Sequence, residues 1–308
     1  MKDAPLVTLG LTSYQDVDYL PQAIASLLAQ DYRPLQIIIS DDCSTDGSWD
    51  LIQKLTQAYD GPHQLLLQRN QEQRRVENYN AILEKAEGEY FVIAHSDDIA
   101  LPHRVSQLVA ALREHDVTLV SSNAECIDHN GRPLGLLCPV DSNPEPGIDN
   151  LIKYGWRVTH HGATLAWNMA LYREFGGLEN RYSAFQTDWI LPFQAALLKG
   201  VHFIGEPLLK LRKHNASRSN QHLHAQRDHL HMYREGMMAS AITQTVYRFR
   251  TLEDFIRRHP EQKDKLHPLL ALLRKKMLIY SADLAEARNQ LALEGLRPRW
   301  EKTEDAAD

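Results

Sequence analysis

Two acidic pairs carry the most chemical information in this sequence. Asp41-Asp42 closes the apolar run LQIIIS, and Asp97-Asp98 closes the run YFVIAHS. A carboxylate beside a core strand loses hydration, and a neighbouring carboxylate adds repulsion, so each pair needs compensation. Adjacent strand residues point to opposite sides, which lets the two members of a pair serve different groups. A divalent cation on one acid, with a ligand hydroxyl or ring N–H on the other, would make the crowding favourable. The plainer alternative is that Asp97 or Asp98 caps the helix that follows Pro102. Finding the arrangement at two strand ends argues for ligand binding.

The elements that must position these acids alternate between strand and helix. LVTLGL (6–11), LQIIIS (35–40), HQLLLQ (63–68) and EYFVIAHSDD (89–98) read as strands, the first, second and fourth as continuous apolar runs of the kind buried on both faces. Between them, DYLPQAIASLLAQ carries the stripe Leu20, Ile24, Leu27 and Leu28, with Asp18 as the expected N-cap and Pro21 in the first turn. Further helices are expected around Leu51, Ile52 and Leu55 and over 76–86. Such units favour a parallel sheet with right-handed crossovers, in which ligands bind beyond the carboxyl ends of the strands. RVSQLVAALREHD then reads as a helix, and VTLVSS and VHFIGEPLLKLRKH as strands. Residues 138–150 are rich in turn formers, and the alternation weakens after them. Residues 221–295 read as polar helices with the stripe Leu266, Leu269, Leu270, Leu273 and Met277, and EKTEDAAD as a disordered tail.

Bulk properties restrict the class. The 308 residues are 43% hydrophobic and 24% charged, so the chain can bury a core of ordinary size. A net charge of −6 leaves no dominant nucleic-acid footprint or polybasic anchor. Cys43, Cys126 and Cys138 are scattered and odd in number, which suits a reducing compartment rather than a disulfide framework. The start lacks signal-peptide form, and no apolar run reaches bilayer length, so a soluble protein is expected.

The runs LTSYQDVDYLPQAIASLLAQDYRPLQIIISDDCSTDGSWDLI and AILEKAEGEYFVIAHSDDIALPHR, followed by FGGLENRYSAFQTDWIL and LRKHNASRS, resemble family-two inverting glycosyltransferases of the GT-A fold. The resemblance covers about residues 5–220 in order and excludes the C-terminal helices. It implies a nucleotide-sugar donor, a divalent metal (Mg²⁺ or Mn²⁺) and inversion at the anomeric carbon. It further implies that Thr12 and Tyr14 hold the nucleobase and that Asp42 accepts the base's ring N–H. By the same resemblance, Arg74 or Arg75 lies near the nucleotide, Asp97 binds the ribose and Asp98 the metal. His214 would be a further metal or phosphate ligand, and Asp188 in QTDWIL the general base.

The chemistry of those residue types agrees. Uracil and thymine carry an N3–H that a carboxylate can accept, whereas cytosine offers a bare acceptor, so Asp42 favours a UDP- or dTDP-sugar. Guanine's ring N–H leaves GDP open. A cation on Asp98 offsets the charge that develops on a departing diphosphate. A hydroxyl acceptor is a weak nucleophile and needs a carboxylate to take its proton, and attack opposite the leaving group inverts the centre. Each residue also has an ordinary reading. Asp188 could cap the helix ILPFQAALLKG, His214 could be a surface histidine, and either arginine could be a solvated helix charge.

The chain departs from the family pattern in two places: Thr187 precedes the base where many relatives have Glu, and Ser96 precedes Asp97-Asp98 where some carry an acid. Arg299-Trp300 has Leu296 where the QxxRW pattern of processive synthases needs Gln, which favours single-sugar transfer. The run His222, His224, His229 and His231 reads as a polar helix face rather than a zinc site. His160-His161 is a second histidine pair that the sequence does not place, although it could line the acceptor side. The basic, partly amphipathic stretch 247–280 could rest on anionic lipid or pack on a neighbouring helix or subunit. Neither GxxxxGK[ST] nor GxGxxG occurs.

The expectations are therefore an α/β GT-A catalytic domain over 1–220, with a mostly parallel sheet flanked by helices. A helical extension over 221–300 and a tail over 301–308 follow it. The expected activity is non-processive transfer from a UDP- or dTDP-sugar to a hydroxyl of a glycan or lipid-linked saccharide, in the cytoplasm or at the inner membrane face. No nucleic-acid partner is expected, and the C-terminal helices could support a homo-oligomer. The alternatives are a non-catalytic sugar-nucleotide or glycan-binding module, or a nucleotidyltransferase, which would need a basic glycine-rich loop that TSYQDVDYLP lacks.

Overall fold

A computed structural model describes residues 4–138, 148, 160–179, 186–214 and 230–293. Four parallel strands form one half of the sheet: β1 (Val7–Ser13), β2 (Leu35–Asp41), β3 (Gln64–Arg69) and β4 (Tyr90–His95), in the spatial order β3-β2-β1-β4. Between them run α1 (Leu20–Leu28), α2 (Ser48–Thr56) and α3 (Arg75–Lys85). The continuous apolar runs are explained by burial on both faces. Ile37, Ile39, Val92 and Ala94 join a cluster with Leu20, Ile24 and Leu108, while Ile38, Phe91 and Ile93 face Tyr79, Ile82 and Trp167. The period of two along each strand produces that split.

The other half of the sheet is mixed. After β5 (Ile99–Ala100) and α4 (Arg104–Glu114) come β6 (Leu119–Ile127), the edge hairpin strand β7 (Pro133–Leu136), β8 (Leu165–Asn168), α5 (Ala170–Phe175), α6 (Gln186–Leu197) and β9 (Val201–Arg212). The order continues β4-β8-β6-β9-β5. β8 runs antiparallel to both β4 and β6, and β9 is parallel to β6 but antiparallel to β5. This antiparallel insertion lies where the sequence alternation faded. A four-residue strand, LAWN, is too short to announce itself by periodicity.

One cap expectation fails, and the capping alternative for Asp97 or Asp98 is not realised. Tyr19, not Asp18, stands at the N-cap of α1, with φ −100° and ψ −23° and no side-chain cap. The Asp16 carbonyl accepts the N–H groups of Tyr19 and Leu20, so the main chain closes the turn without an Asx side chain. Likewise α4 starts after His103 with no side-chain cap, so neither Asp97 nor Asp98 serves it.

The chain divides into two compact units, one comprising Met1–Asn180 with Phe185–Arg212 and the other Arg181–Ala184 with Lys213–Asp308. The second contains α7 (Leu230–Arg258) and α8 (Lys263–Leu293). Of the expected stripe, Leu266, Leu270 and Leu273 are buried, together with Leu252, Phe255, Ala287 and Leu291. Arg288 reaches the buried Glu235 carboxylate at 3.1 Å. No helix among the described residues is long and apolar enough to cross a membrane. The histidine run His222–His231, Arg299-Trp300 and the tail 301–308 lie outside the described side chains.

Gly10 sits in mid-β1, where an added Cβ would collide with Phe91 Cζ and lie 2.7 Å from Ile82 Cγ2. Gly10→Ala should destabilise the protein by roughly 1–3 kcal/mol through overpacking. Because the Phe91 ring is what the methyl meets, Phe91→Leu with Gly10→Ala should cost less than the sum of the single changes. Urea midpoints of the three variants check this, and strict additivity would show that the ring is not the obstacle.

Candidate active site

The strand register gathers the predicted residues along the carboxyl ends of β1, β2 and β4. Thr12 pairs with Ser40 on one side and His95 on the other, and Ser13 with Asp41. Tyr14, just past β1, is exposed. The two acids after β2 do different things. Asp41 is fully buried; its Oδ2 accepts the Ser44 N–H at 2.9 Å and lies 3.4 Å from Arg69 Nε. It holds the DDCSTDG loop. Asp42 donates its N–H to the Ser13 carbonyl, and its Oδ1 accepts from Asn70 Nδ2 and the Arg74 N–H, each at 2.8 Å. Among the described residues no donor is recorded to its Oδ2, which remains an open acceptor. Arg74 thus approaches Asp42 through its main chain, while its guanidinium pairs with Glu72 at 2.8 Å. Arg75 begins α3 and is exposed.

Beyond β4 the chain turns through His95-Ser96-Asp97-Asp98. The Asp98 carboxylate is 6% exposed, and its Oδ1 accepts the Arg212 N–H at 2.9 Å. One donor atom each from His95, Asp97 and Asp98 lies within 4.8 Å of the others. Arg212 fastens this turn from several sides. Its Nε donates to the Asp97 carbonyl, Nη1 to the Asp128 and His129 carbonyls and Nη2 to Gln22 Oε1, and the guanidinium lies over the Tyr19 ring. His214 follows two residues later, is partly buried and belongs to the second unit.

Asp188 lies in the first turn of α6. Its Oδ1 accepts the Gly162 N–H at 2.7 Å and the Thr187 hydroxyl at 3.2 Å. A side chain at Gly162 would collide with that oxygen and lie 2.5 Å from Thr187 Oγ1, so the close approach requires glycine. Asp188 also lies within electrostatic range of the His95 imidazole. Burial lowers the proton affinity of His95; Asp97 raises it, His161 lowers it, Asp188 raises it and Arg104 lowers it. Arg104, at the start of α4, is 1% exposed and donates from Nη2 to the Ala163 carbonyl at 2.8 Å. Burial pulls its pKa down to about 10, opposed by Asp98.

The structure therefore brings Thr12, Asp97 and Asp98 around His95, with Asp188 in electrostatic range of that imidazole and Asp42 at the end of β2 along the same edge. Sequence reasoning missed His95, Arg104, Gly162 and Arg212. His95 and Arg104 lie within the segment that carried the resemblance, and Arg212 begins RKH, but nothing in their spacing fixed what each would touch. Two carboxylates and an imidazole suit a hard or borderline divalent cation, and the nitrogen donor favours Mn²⁺ over Mg²⁺.

His160 is buried beside this turn, with Nδ1 2.6 Å from Ser121 Oγ, and burial holds its pKa down at about 4. An unfolded histidine takes up a proton near pH 6.5, whereas the folded one resists until about pH 4. Stability should therefore fall as pH drops through that window, by at most roughly 3 kcal/mol from this residue. Denaturation at stepped pH should show a flatter dependence for His160→Gln. An unchanged slope would remove His160 as its source.

The description "Glycosyl transferase family 2" matches residues 8–171. An uncharacterized glycosyltransferase of Rickettsia typhi is 26% identical over 219 residues, 70% of this chain and 67% of that protein. Another from Nostoc is 31% identical over 128 residues, 42% of this chain and 39% of that one, so the match spans about two fifths of its length. Among solved structures, S. aureus TarS 1-349 in complex with UDP-GlcNAc superposes with a TM-score of 0.58 at 18% identity, covering 95% of this chain and 93% of that one. A Pyrobaculum calidifontis mannosyltransferase in complex with GDP-Man and Mn²⁺ gives 0.55 at 19% identity, covering 96% and 80%. These structures share the GT-A architecture.

Proposed function

This chain belongs to glycosyl transferase family 2, and from that premise we propose that it transfers a single sugar, with inversion, from a UDP- or dTDP-sugar to a hydroxyl of a glycan or lipid-linked saccharide. The observation that carries the reading is the grouping of His95, Asp97 and Asp98, with donor atoms within 4.8 Å of one another at the carboxyl edge of the sheet, and Asp188 in electrostatic range of His95. In this reading residues 1–220 are the catalytic domain, 221–300 a helical extension and 301–308 a tail. The protein would work in the cytoplasm or on the inner membrane face.

Each group has a task. Thr12 and Tyr14 flank the nucleobase, and the open Oδ2 of Asp42 accepts its ring N–H, the reason a uracil or thymine base is preferred. Arg74 or Arg75 screens the nucleotide charge, and Asp97 takes the ribose hydroxyls. Asp98, with His95, would hold Mg²⁺ or Mn²⁺, which when bound supplies positive charge to the departing diphosphate. Asp188 takes the proton of the acceptor hydroxyl as its oxygen attacks the anomeric carbon from the face opposite the diphosphate. The Gly162 N–H fixes one carboxylate oxygen, which orients the other toward the acceptor.

The nucleotide-sugars in the TarS and Pyrobaculum complexes support a donor of this class, and the Mn²⁺ in the latter supports the cation. Another relative, the Bacillus subtilis protein TuaG, carries a teichuronic acid biosynthesis name, which supports a cell-surface acceptor.

Asp188→Asn should keep nucleotide binding and lose transfer by about 10²- to 10⁴-fold. Release of UDP or dTDP from a panel of nucleotide-sugars, with mixed saccharide and lipid-linked acceptors, reads this out. Normal turnover by the variant removes the base assignment. UDP should raise the melting temperature more with Mn²⁺ than without it, and Asp98→Ala should abolish the increment. An increment that survives in the variant counts against Asp98 as the ligand.

A further inference from the structure

Arg104 has an unusual position for an arginine: its side chain is 1% exposed, inside the cluster that lines the sheet edge. A buried guanidinium is costly unless acceptors and an opposite charge surround it. Here only part of it is satisfied. Nη2 reaches the Ala163 carbonyl at 2.8 Å, while Nε is buried with no hydrogen-bond acceptor among the described residues. The guanidinium lies within electrostatic range of the Asp98 carboxylate and of His95, without a hydrogen bond to either among the described contacts. Ala163 lies in the 3-10 turn Gly162–Thr164, whose first N–H holds Asp188. Helix α4, which carries Arg104, packs Val105, Leu108 and Leu112 into the core, so the guanidinium is anchored on a rigid element.

We propose that Arg104 is a positioning residue that links the two halves of the site, fixing the turn on which the Asp188 carboxylate rests while partly neutralising Asp98. The inference rests on the roles given above to Asp98 and Asp188. Its two effects act in opposite directions on two measurable quantities. Through Ala163 and Gly162 the guanidinium aims the base and so supports turnover. Through its charge it opposes a cation approaching Asp98, so the resting protein holds a divalent ion weakly until the diphosphate adds negative charge. A residue that merely filled space or supported the fold would affect both quantities in the same sense.

Arg104→Met removes the charge and the fork at similar length, and Arg104→Lys keeps a charge and loses the fork. Mn²⁺ binding without nucleotide, followed by the EPR signal of the free ion, should tighten about tenfold in Arg104→Met and change little in Arg104→Lys. In the nucleotide-release assay kcat should fall roughly 10- to 100-fold in Arg104→Met, and by less in Arg104→Lys. Unchanged or weaker Mn²⁺ binding in a folded Arg104→Met variant overturns the charge role, and wild-type kcat overturns the positioning role. If Arg104→Met does not fold, Arg104→Lys decides, with reduced kcat at wild-type Mn²⁺ affinity expected and wild-type values for both refuting. Wild-type protein that binds no Mn²⁺, or an Asp188→Asn variant with normal turnover, locates the failure in the underlying assignment and takes the proposal with it. An inactive Asp188→Asn beside an unaltered Arg104→Met locates it in Arg104 alone.

Discussion

The hydrogen bond from the Arg212 N–H to Asp98 joins the end of the last strand to the turn that ends the fourth. Those strands are not neighbours, since β8 and β6 lie between them in the sheet. The same arginine spreads its guanidinium over the Asp97 carbonyl, the 128–129 turn, Gln22 and the Tyr19 ring. A planar cation with several fixed donors can satisfy acceptors from separate segments at once, which a lysine cannot. The acid turn is therefore held in shape before any ligand arrives. Preorganisation of this kind is what a site needs if binding energy is not to be consumed in ordering loops.

The crowded carboxylates find their compensation in different currencies. Asp41 is supported by a backbone N–H and by Arg69, and it stabilises its own loop. Asp42 has one oxygen saturated by two donors and the other open. Asp98 receives a backbone N–H and lies within electrostatic range of the buried Arg104. Asp188 is held by a glycine N–H that only a residue without a side chain can bring so close. In each case one carboxylate oxygen is fixed to the protein, the usual way to orient a group whose other oxygen must act on a ligand.

β1, β2 and β4 were legible because burial on both faces leaves a continuous apolar run, and the acids that follow β2 and β4 were legible because charge interrupts such a run so abruptly. The long C-terminal helices were legible from the Leu266, Leu270 and Leu273 repeat. The antiparallel β8 was not, since four residues show no period and strand direction depends on which neighbours are already in place. Asp18 was expected as a cap from residue type alone, but the Asp16 carbonyl reached the free N–H groups first.

By itself the sequence determined the α/β layering, the placing of acids at the end of β2 and just past β4, and membership of glycosyl transferase family 2. These follow from local signals: apolar periodicity, charge at a strand end, and motifs within short runs. Only the tertiary structure decided that His95 stands with Asp97 and Asp98, that Gly162 cradles Asp188, that Arg212 braces the acid turn and that Arg104 holds the Ala163 carbonyl. Asp98 and Arg212 are 114 residues apart, and no local pattern encodes a pairing across such a distance. It emerges when the core closes and each buried polar group must find a partner or remain unsatisfied.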